Sequence, residues 1–162
     1  MIKLRITLES KENVIREIGI NKNLNLEELN TEIITLFDLE PFEMASFFII
    51  DSELNLGEEI PLIDTSEKGN NVITMNQMMI SSVLNSKDTG LIYVYDFLKM
   101  WRFHIEYLEK LDVKKEKEII CIKSVGKIPS KAPEFEFEVD INEEFDPFKD
   151  ALEDFDEFNE YE

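Results

Sequence analysis

The sequence predicts a single α+β domain built on a mostly antiparallel sheet, and three observations carry that expectation. The N-terminal octet alternates apolar and polar residues, a fully capped helix follows it, and an aromatic double strand occupies residues 91–111. Hairpins interleaved with helices in this way give an α+β domain. Taking the elements in order, Ile2, Leu4, Ile6 and Leu8 fall at period two, with Lys3, Arg5 and Thr7 on the opposite face of a strand. Ser10 to Asn13 reads as a turn, and Val14 to Ile20 resumes an extended, β-branched pattern, so the chain opens with a β-hairpin. Asn25 then reads as the N-cap of a helix with Glu28 at N3 and Leu24 stapled to Leu29 across the cap. Leu26, Leu29, Ile33, Leu36 and Phe37 share its apolar face, and Pro41 is expected to stop it. Hairpin followed by helix is also the element order with which a β-grasp fold begins.

Ser46–Asp51 reads as a buried strand, 64–71 as a polar loop, and Asn76–Leu84 as a short helix buried through Met79, Ile80 and Val83. The strongest pattern is the aromatic hairpin. Leu91, Tyr93, Tyr95 and Phe97 alternate on one face, then Trp101, Phe103, Ile105 and Tyr107 do so after a break. Glu118–Lys123 is a further strand expected beside it. The body spans 1–125, a Pro-punctuated linker 126–133, and an acidic aromatic tail 134–162, either disordered or a short amphipathic helix.

Charge is concentrated in that tail. The 162 residues hold 17 Lys+Arg against 36 Asp+Glu, a net charge of −19. Residues 134–162 contain fourteen acids and one base, Lys149, for −13, and seven of the seventeen aromatics. Direct binding to nucleic acid or to an anionic membrane is therefore disfavoured, because both need a surplus of Lys and Arg. No secretory signal and no apolar run approaching the ~20 residues of a membrane span is visible. With Cys121 as the one cysteine, no intrachain disulfide forms and a multi-thiolate zinc site is excluded, so a cytoplasmic location is expected.

Candidate chemistry is sparse. Asp96, His104 and Glu106 are the imaginable acid–base or metal cluster, set against the plain reading of polar residues alternating outward on a hairpin. Cys121 lies among Ile119, Ile120 and Ile122 and reads as a buried, inert thiol. The row around Trp101 reads as core, with a ligand pocket as its alternative. No phosphate-binding loop, dinucleotide fingerprint, nucleophile elbow or paired metal-binding histidines occurs, so no cofactor and no metal is expected.

The tail is more informative. Phe145, Phe148, Leu152 and Phe155 recur at spacings of three and four with Phe158 beside them, and Asp146-Pro147 supplies an N-cap and a first-turn proline. That pattern suits folding upon a basic, apolar groove of a partner, or docking on the chain's own domain.

Tyr95-Asp96-Phe97 followed by Trp101 resembles the tyrosine–aspartate–phenylalanine–glycine–aspartate…tryptophan…histidine signature of the Ri-plasmid open-reading-frame-three-like family, mobile-element passenger proteins of unassigned function. Arg16, Leu29, Ile33, Phe37 and Phe48 occupy matching places upstream, and the resemblance covers about residues 1–110. It implies the family's fold but no reaction. The family's glycine–aspartate pair is Leu98-Lys99 here, its histidine falls on Phe103 with His104 one place off, and its cysteine- and glycine-rich ending has no counterpart after Pro129. In these departures and its acidic ending the chain resembles a Bacteroidetes-type variant. The function expected is a non-catalytic accessory or regulatory protein that contacts a basic protein surface, a DNA-binding protein among the candidates, through Phe145, Phe148, Leu152, Phe155 and Phe158. The alternative is a metal-assisted or hydrolytic enzyme using the polar face of the 91–111 hairpin.

Overall fold

A computed structural model describes residues 1–113 and 117–134. The tail positions Phe145, Phe148, Leu152, Phe155 and Phe158 lie outside them. The described residues form strands β1 (Ile2–Leu8) and β2 (Ile15–Ile20), helix α1 (Leu26–Leu36), β3 (Ala45–Ile50), β4 (Leu56–Pro61), a 3-10 turn (Met75–Gln77), the one-turn helix α2 (Ile80–Val83), β5 (Gly90–Tyr95), β6 (Trp101–Lys110) and β7 (Ile119–Val125). The strands make one seven-stranded sheet in the order β4-β3-β5-β6-β1-β2-β7, with every neighbouring pair antiparallel. The fold is thus mixed α+β and mostly β. Among the described residues no helix is long and apolar enough to cross a membrane.

Period-two alternation dictates which face of β1 is wet. Ile2, Leu4, Ile6 and Leu8 are buried, and Leu4 sits opposite Ile18 in the β2 register. The second neighbour of β1 is β6, again antiparallel. Helix α1 lies over this apolar face, its Leu26, Leu29 and Ile33 joining Leu4, Ile6, Tyr93, Phe103 and Ile105 in one core. Its start is as the sequence indicates: the Asn25 side chain accepts from the Glu28 N–H at 3.0 Å, and the Glu28 carboxylate accepts from the Asn25 N–H at 2.8 Å. Capping of this kind satisfies two donors that the first helical turn leaves open.

Four expectations need correction. Pro41 does not end α1. The helix stops at Leu36, and Asp38 turns left-handed (φ 50°) while its N–H donates to Thr35 O and that of Leu39 to Ile34 O. These two bonds are the Schellman arrangement, which satisfies the last carbonyls before the proline is reached. Asn76–Leu84 is not one helix but a 3-10 turn and a single α-turn, broken at Met78–Met79, with Met79 40% exposed while Ile80 and Val83 are buried. Backbone bonds from Leu26 N to Met78 O and from Ile80 N to Leu24 O clip this break to the start of α1. A local pairing therefore displaces the helical ladder. β7 pairs with β2 at the sheet edge instead of lying beside β5–β6, because β1 already occupies the free side of β6. On that edge Cys121 is exposed, not buried.

Candidate functional site

The signature residues converge only in part. Tyr95 ends β5 and Trp101 begins β6, so the connection between them places Tyr95, Asp96 and Trp101 at one end of the sheet. There, with Asp38, Glu40 and Lys99, and with 128–130 crossing above, they line a cleft of about 240 Å³. Phe97 does not join them: it is 44% exposed at the tip of the turn, where the chain has left the strand and period two no longer governs its direction. Arg16 lies elsewhere, under the C-terminal end of α1.

Asp96 makes the turn. It is buried with φ 57°, its N–H donates to Met44 O at 2.8 Å, and its Oδ1 accepts from the N–H groups of Leu98 (3.1 Å) and Lys99 (3.2 Å). Lys99 Nζ stands 3.9 Å from Oδ2. An aspartate tolerates the left-handed region because its short side chain can bond the following backbone, and here it does so. Tyr95 is anchored as well: its hydroxyl donates to Glu40 O and accepts from Glu43 N at 3.4 Å. Burial pushes its phenol above the ordinary range. The Tyr95 hydroxyl and the Asp96 backbone N–H thus tie the β5–β6 connection to the segment that follows α1, while the Asp96 side chain closes the turn itself.

Arg16 performs a comparable task at the C-terminal end of α1. Its Nη1 donates to Ile15 O and Val125 O at 2.9 Å each, its Nε to Leu36 O at 3.3 Å, and its guanidinium stacks 4.9 Å from the Phe37 ring centre. One planar fork therefore joins β2, β7 and the negative end of α1.

The imagined Asp96–His104–Glu106 cluster is not assembled. His104 and Glu106 face a separate cleft of about 160 Å³ with Asp51, Lys87 and Asp88, at the other end of the hairpin. Asp51 is held below its usual range by hydrogen bonds from the Asn55 side chain and backbone, where it shapes the β3–β4 turn. No group of three or more His, Cys, Asp or Glu among the described residues is placed to hold a metal ion.

Sequence reasoning missed Glu17. This carboxylate is buried on the sheet face opposite α1, 3.1 Å from both Lys3 Nζ and Arg5 Nη2. The hydrogen bond from Lys3 holds it below the ordinary 4.5, burial opposes that, and Arg5 adds to the lowering. Opposite charges across a hairpin are a readable signal, since Arg5 is the register partner of Glu17.

No curated protein matches the chain. A crystal structure of a protein of unknown function from Methanosarcina mazei Go1 is similar in fold, with a TM-score of 0.60 at 16% identity over 76% of this chain and 68% of that one. At that identity the likeness speaks for the fold alone. The family model described as plasmid pRiA4b ORF-3-like protein matches residues 1–159. Since the match takes in nearly the whole sequence, the chain belongs to the plasmid pRiA4b ORF-3-like protein family.

Proposed function

We propose that this chain is a non-catalytic, cytoplasmic accessory protein, associated with mobile elements, that binds a basic protein partner through its acidic aromatic tail. The observation that carries this reading is the composition of residues 134–162, which unites a charge of −13 with seven aromatics. Phe145, Phe148, Leu152, Phe155 and Phe158 supply the anchors and the carboxylates meet Lys and Arg on the partner. A DNA-binding protein fits this chemistry, the carboxylates standing where phosphates would. The body is consistent with a scaffold role, because Arg16, Tyr95 and Asp96 direct their polar groups to backbone that holds the fold together. The enzymatic rival needs Asp96 and His104 in one site, and they line different clefts.

The test is affinity capture with the full chain and with a variant carrying Phe145→Ala, Phe148→Ala, Phe155→Ala and Phe158→Ala. A basic protein retained by the first and lost by the second is the expected result. Identical capture by both, or none by either, overturns the reading. Raising salt from about 50 to 200 mM separates its two forms: phosphate mimicry loses affinity steeply, aromatic anchoring does not.

A further inference from the structure

The two most exposed large apolar side chains among the described residues, Phe42 at 98% and Leu98 at 96%, stand at the same end of the sheet. Phe97 and Met100 beside them are exposed as well. Backbone bonds put the two turns that carry these residues side by side: Asp96 N–H donates to Met44 O at 2.8 Å, and the Tyr95 hydroxyl bridges Glu40 O and Glu43 N. The fold gains little from the arrangement. Phe42 has φ 69° and Met100 φ 59°, a left-handed region that bulky side chains rarely occupy, and Phe42 buries almost nothing in exchange. Strain and exposure that do nothing for folding point to a surface kept for contact.

The cleft beside these turns narrows the chemistry of that contact. Leu39, Tyr95 and Trp101 give it apolar and aromatic walls, and at about 240 Å³ it falls below the ~300 Å³ at which sites for drug-sized ligands begin. It suits one side chain better than a free metabolite. Its lining acids are Asp38, Glu40 and Asp96 against one base, Lys99, whose Nζ already stands 3.9 Å from Asp96. Asp38 and Glu40 are exposed, as is Glu43 next to Phe42, and none of the three has an ion-pair partner among the described residues. Lys127 and Lys131 flank the crossing segment without lining the cleft. Trp101 supplies a different group. The residue is 8% exposed, and its indole N–H donates to no acceptor among the described residues yet is not shut inside the core, so it opens on the cleft that the ring lines. A donor for a backbone carbonyl, carboxylates for a cation and apolar side chains for apolar ones together match an extended peptide segment.

We propose that this end of the body docks an extended, basic and apolar segment of a protein partner. Phe42, Phe97, Leu98 and Met100 cover its apolar side chains, Asp38 and Glu40 receive a Lys or Arg in the cleft, and the Trp101 N–H holds a backbone carbonyl. The chain's own tail and a second copy fit less well, since the tail would bring a charge of −13 and a copy −19 to a rim that is itself acidic. The surface belongs to the body, so it goes beyond the tail reading and does not rest on it.

The test uses Trp101, the chain's one tryptophan, as reporter in the full-length protein. The probe is a capped peptide alternating leucine and arginine, with leucine–glutamate and alanine–arginine peptides beside it. The expected result is a saturable change in Trp101 emission and in its indole N–H resonance, with a Kd below ~1 mM, for the leucine–arginine peptide and none for the leucine–glutamate one. Asp38→Asn with Glu40→Gln should weaken binding about three- to tenfold, the scale of two part-exposed ion pairs. Phe42→Asn with Leu98→Ser should reduce leucine–arginine binding to the level of the alanine–arginine peptide. Both pairs of changes lie at exposed positions, and asparagine accepts the left-handed backbone of Asp38 and Phe42, so urea midpoints no lower than that of the unaltered chain show the fold intact. No saturable response, or an equal one to the leucine–glutamate peptide, overturns the proposal. So does binding that either pair of changes leaves at full strength. A dimer of the peptide-free chain in sedimentation that Phe42→Asn with Leu98→Ser dissolves overturns it in favour of a second copy. A shift of the Trp101 signals in peptide-free chain carrying the four tail changes of the capture experiment overturns it in favour of the tail. All of these are read without the natural partner, so the capture experiment decides the tail reading separately.

Discussion

Replacing the buried Arg16 should remove more stability than a change at any exposed or half-exposed charged residue of the body. The side chain is 8% exposed and donates to three carbonyls, of which Val125 O and Leu36 O belong to different elements. A hydrogen bond from a charged donor contributes about 1.5–3 kcal/mol net, less for the long 3.3 Å contact and for a donor shared between two oxygens. The helix terminus adds about 0.3–1 kcal/mol and the Phe37 face about 0.5–2 kcal/mol. Because these effects share one guanidinium they do not simply add, and Arg16→Ala should cost about 3–4 kcal/mol. Arg16→Lys keeps the charge but loses the fork and most of the stacking, and should cost about half as much. Urea denaturation followed by far-UV circular dichroism measures both, read as a midpoint shift at constant slope. A loss under about 1 kcal/mol for Arg16→Ala would show that water replaces the guanidinium at these carbonyls. Equal losses for the two variants would refute the argument from planar geometry. A double-mutant cycle with Phe37→Leu should return a coupling of about 1 kcal/mol.

Further outcomes follow from the same geometry. Gly126 has φ 73°, and a Cβ there would sit 2.1 Å from Asn13 O, so Gly126→Ala should cost more than about 2 kcal/mol and raise hydrogen exchange in β7 before the other strands. Tyr93 donates to Asn30 Oδ1 at 2.6 Å inside the core, and Tyr93→Phe should cost about 1–3 kcal/mol by stranding that oxygen. Burial also drives the Tyr93 phenol far above its ordinary 10.0. A folded-state value above the unfolded one gives a contribution fully present below pH 10 and lost as pH rises beyond it, so ultraviolet titration should show one tyrosine ionising only as the chain unfolds. Glu17 behaves oppositely. Its folded-state value is lowered, chiefly by the Lys3 hydrogen bond, so its contribution is present above its unfolded value of 4.5 and fades as pH falls through the folded one. Glu17→Gln should therefore flatten the acid limb of the stability profile, and an unchanged limb in acid denaturation would count against the pairing. Asn25→Ala should cost about 1 kcal/mol through loss of the capping box, checked by thermal unfolding.

How legible the molecule was depended on the range of the interaction. The start of α1 was readable because Asn25 and Glu28 satisfy each other within a single turn. Alternation over Ile2–Leu8 and Leu91–Tyr95 was readable for a similar reason, since period two needs no knowledge of the partner strand. Trp101 and Phe103 followed the same rule and are buried, whereas Phe97, past the end of its strand, does not. The neighbour of β7 was not legible. Its apolar residues say that it pairs but not with which edge, and the choice falls to β2 because β1 fills the side of β6. The break in 76–84 was hidden likewise, being made by backbone bonds to the start of α1 some fifty residues away in sequence.

By itself, then, the sequence determined the fold class, the first helix with its cap, the alternating strands and the uneven distribution of charge, all properties of composition or of neighbours a few positions apart. Tertiary structure alone decided the strand order, the separation of Asp96 from His104 into two clefts, and the engagement of Arg16 at the end of α1. It also decided that β5 is buried on both faces. Those outcomes depend on which distant segments meet, and contacts between distant segments are settled by packing rather than by local pattern.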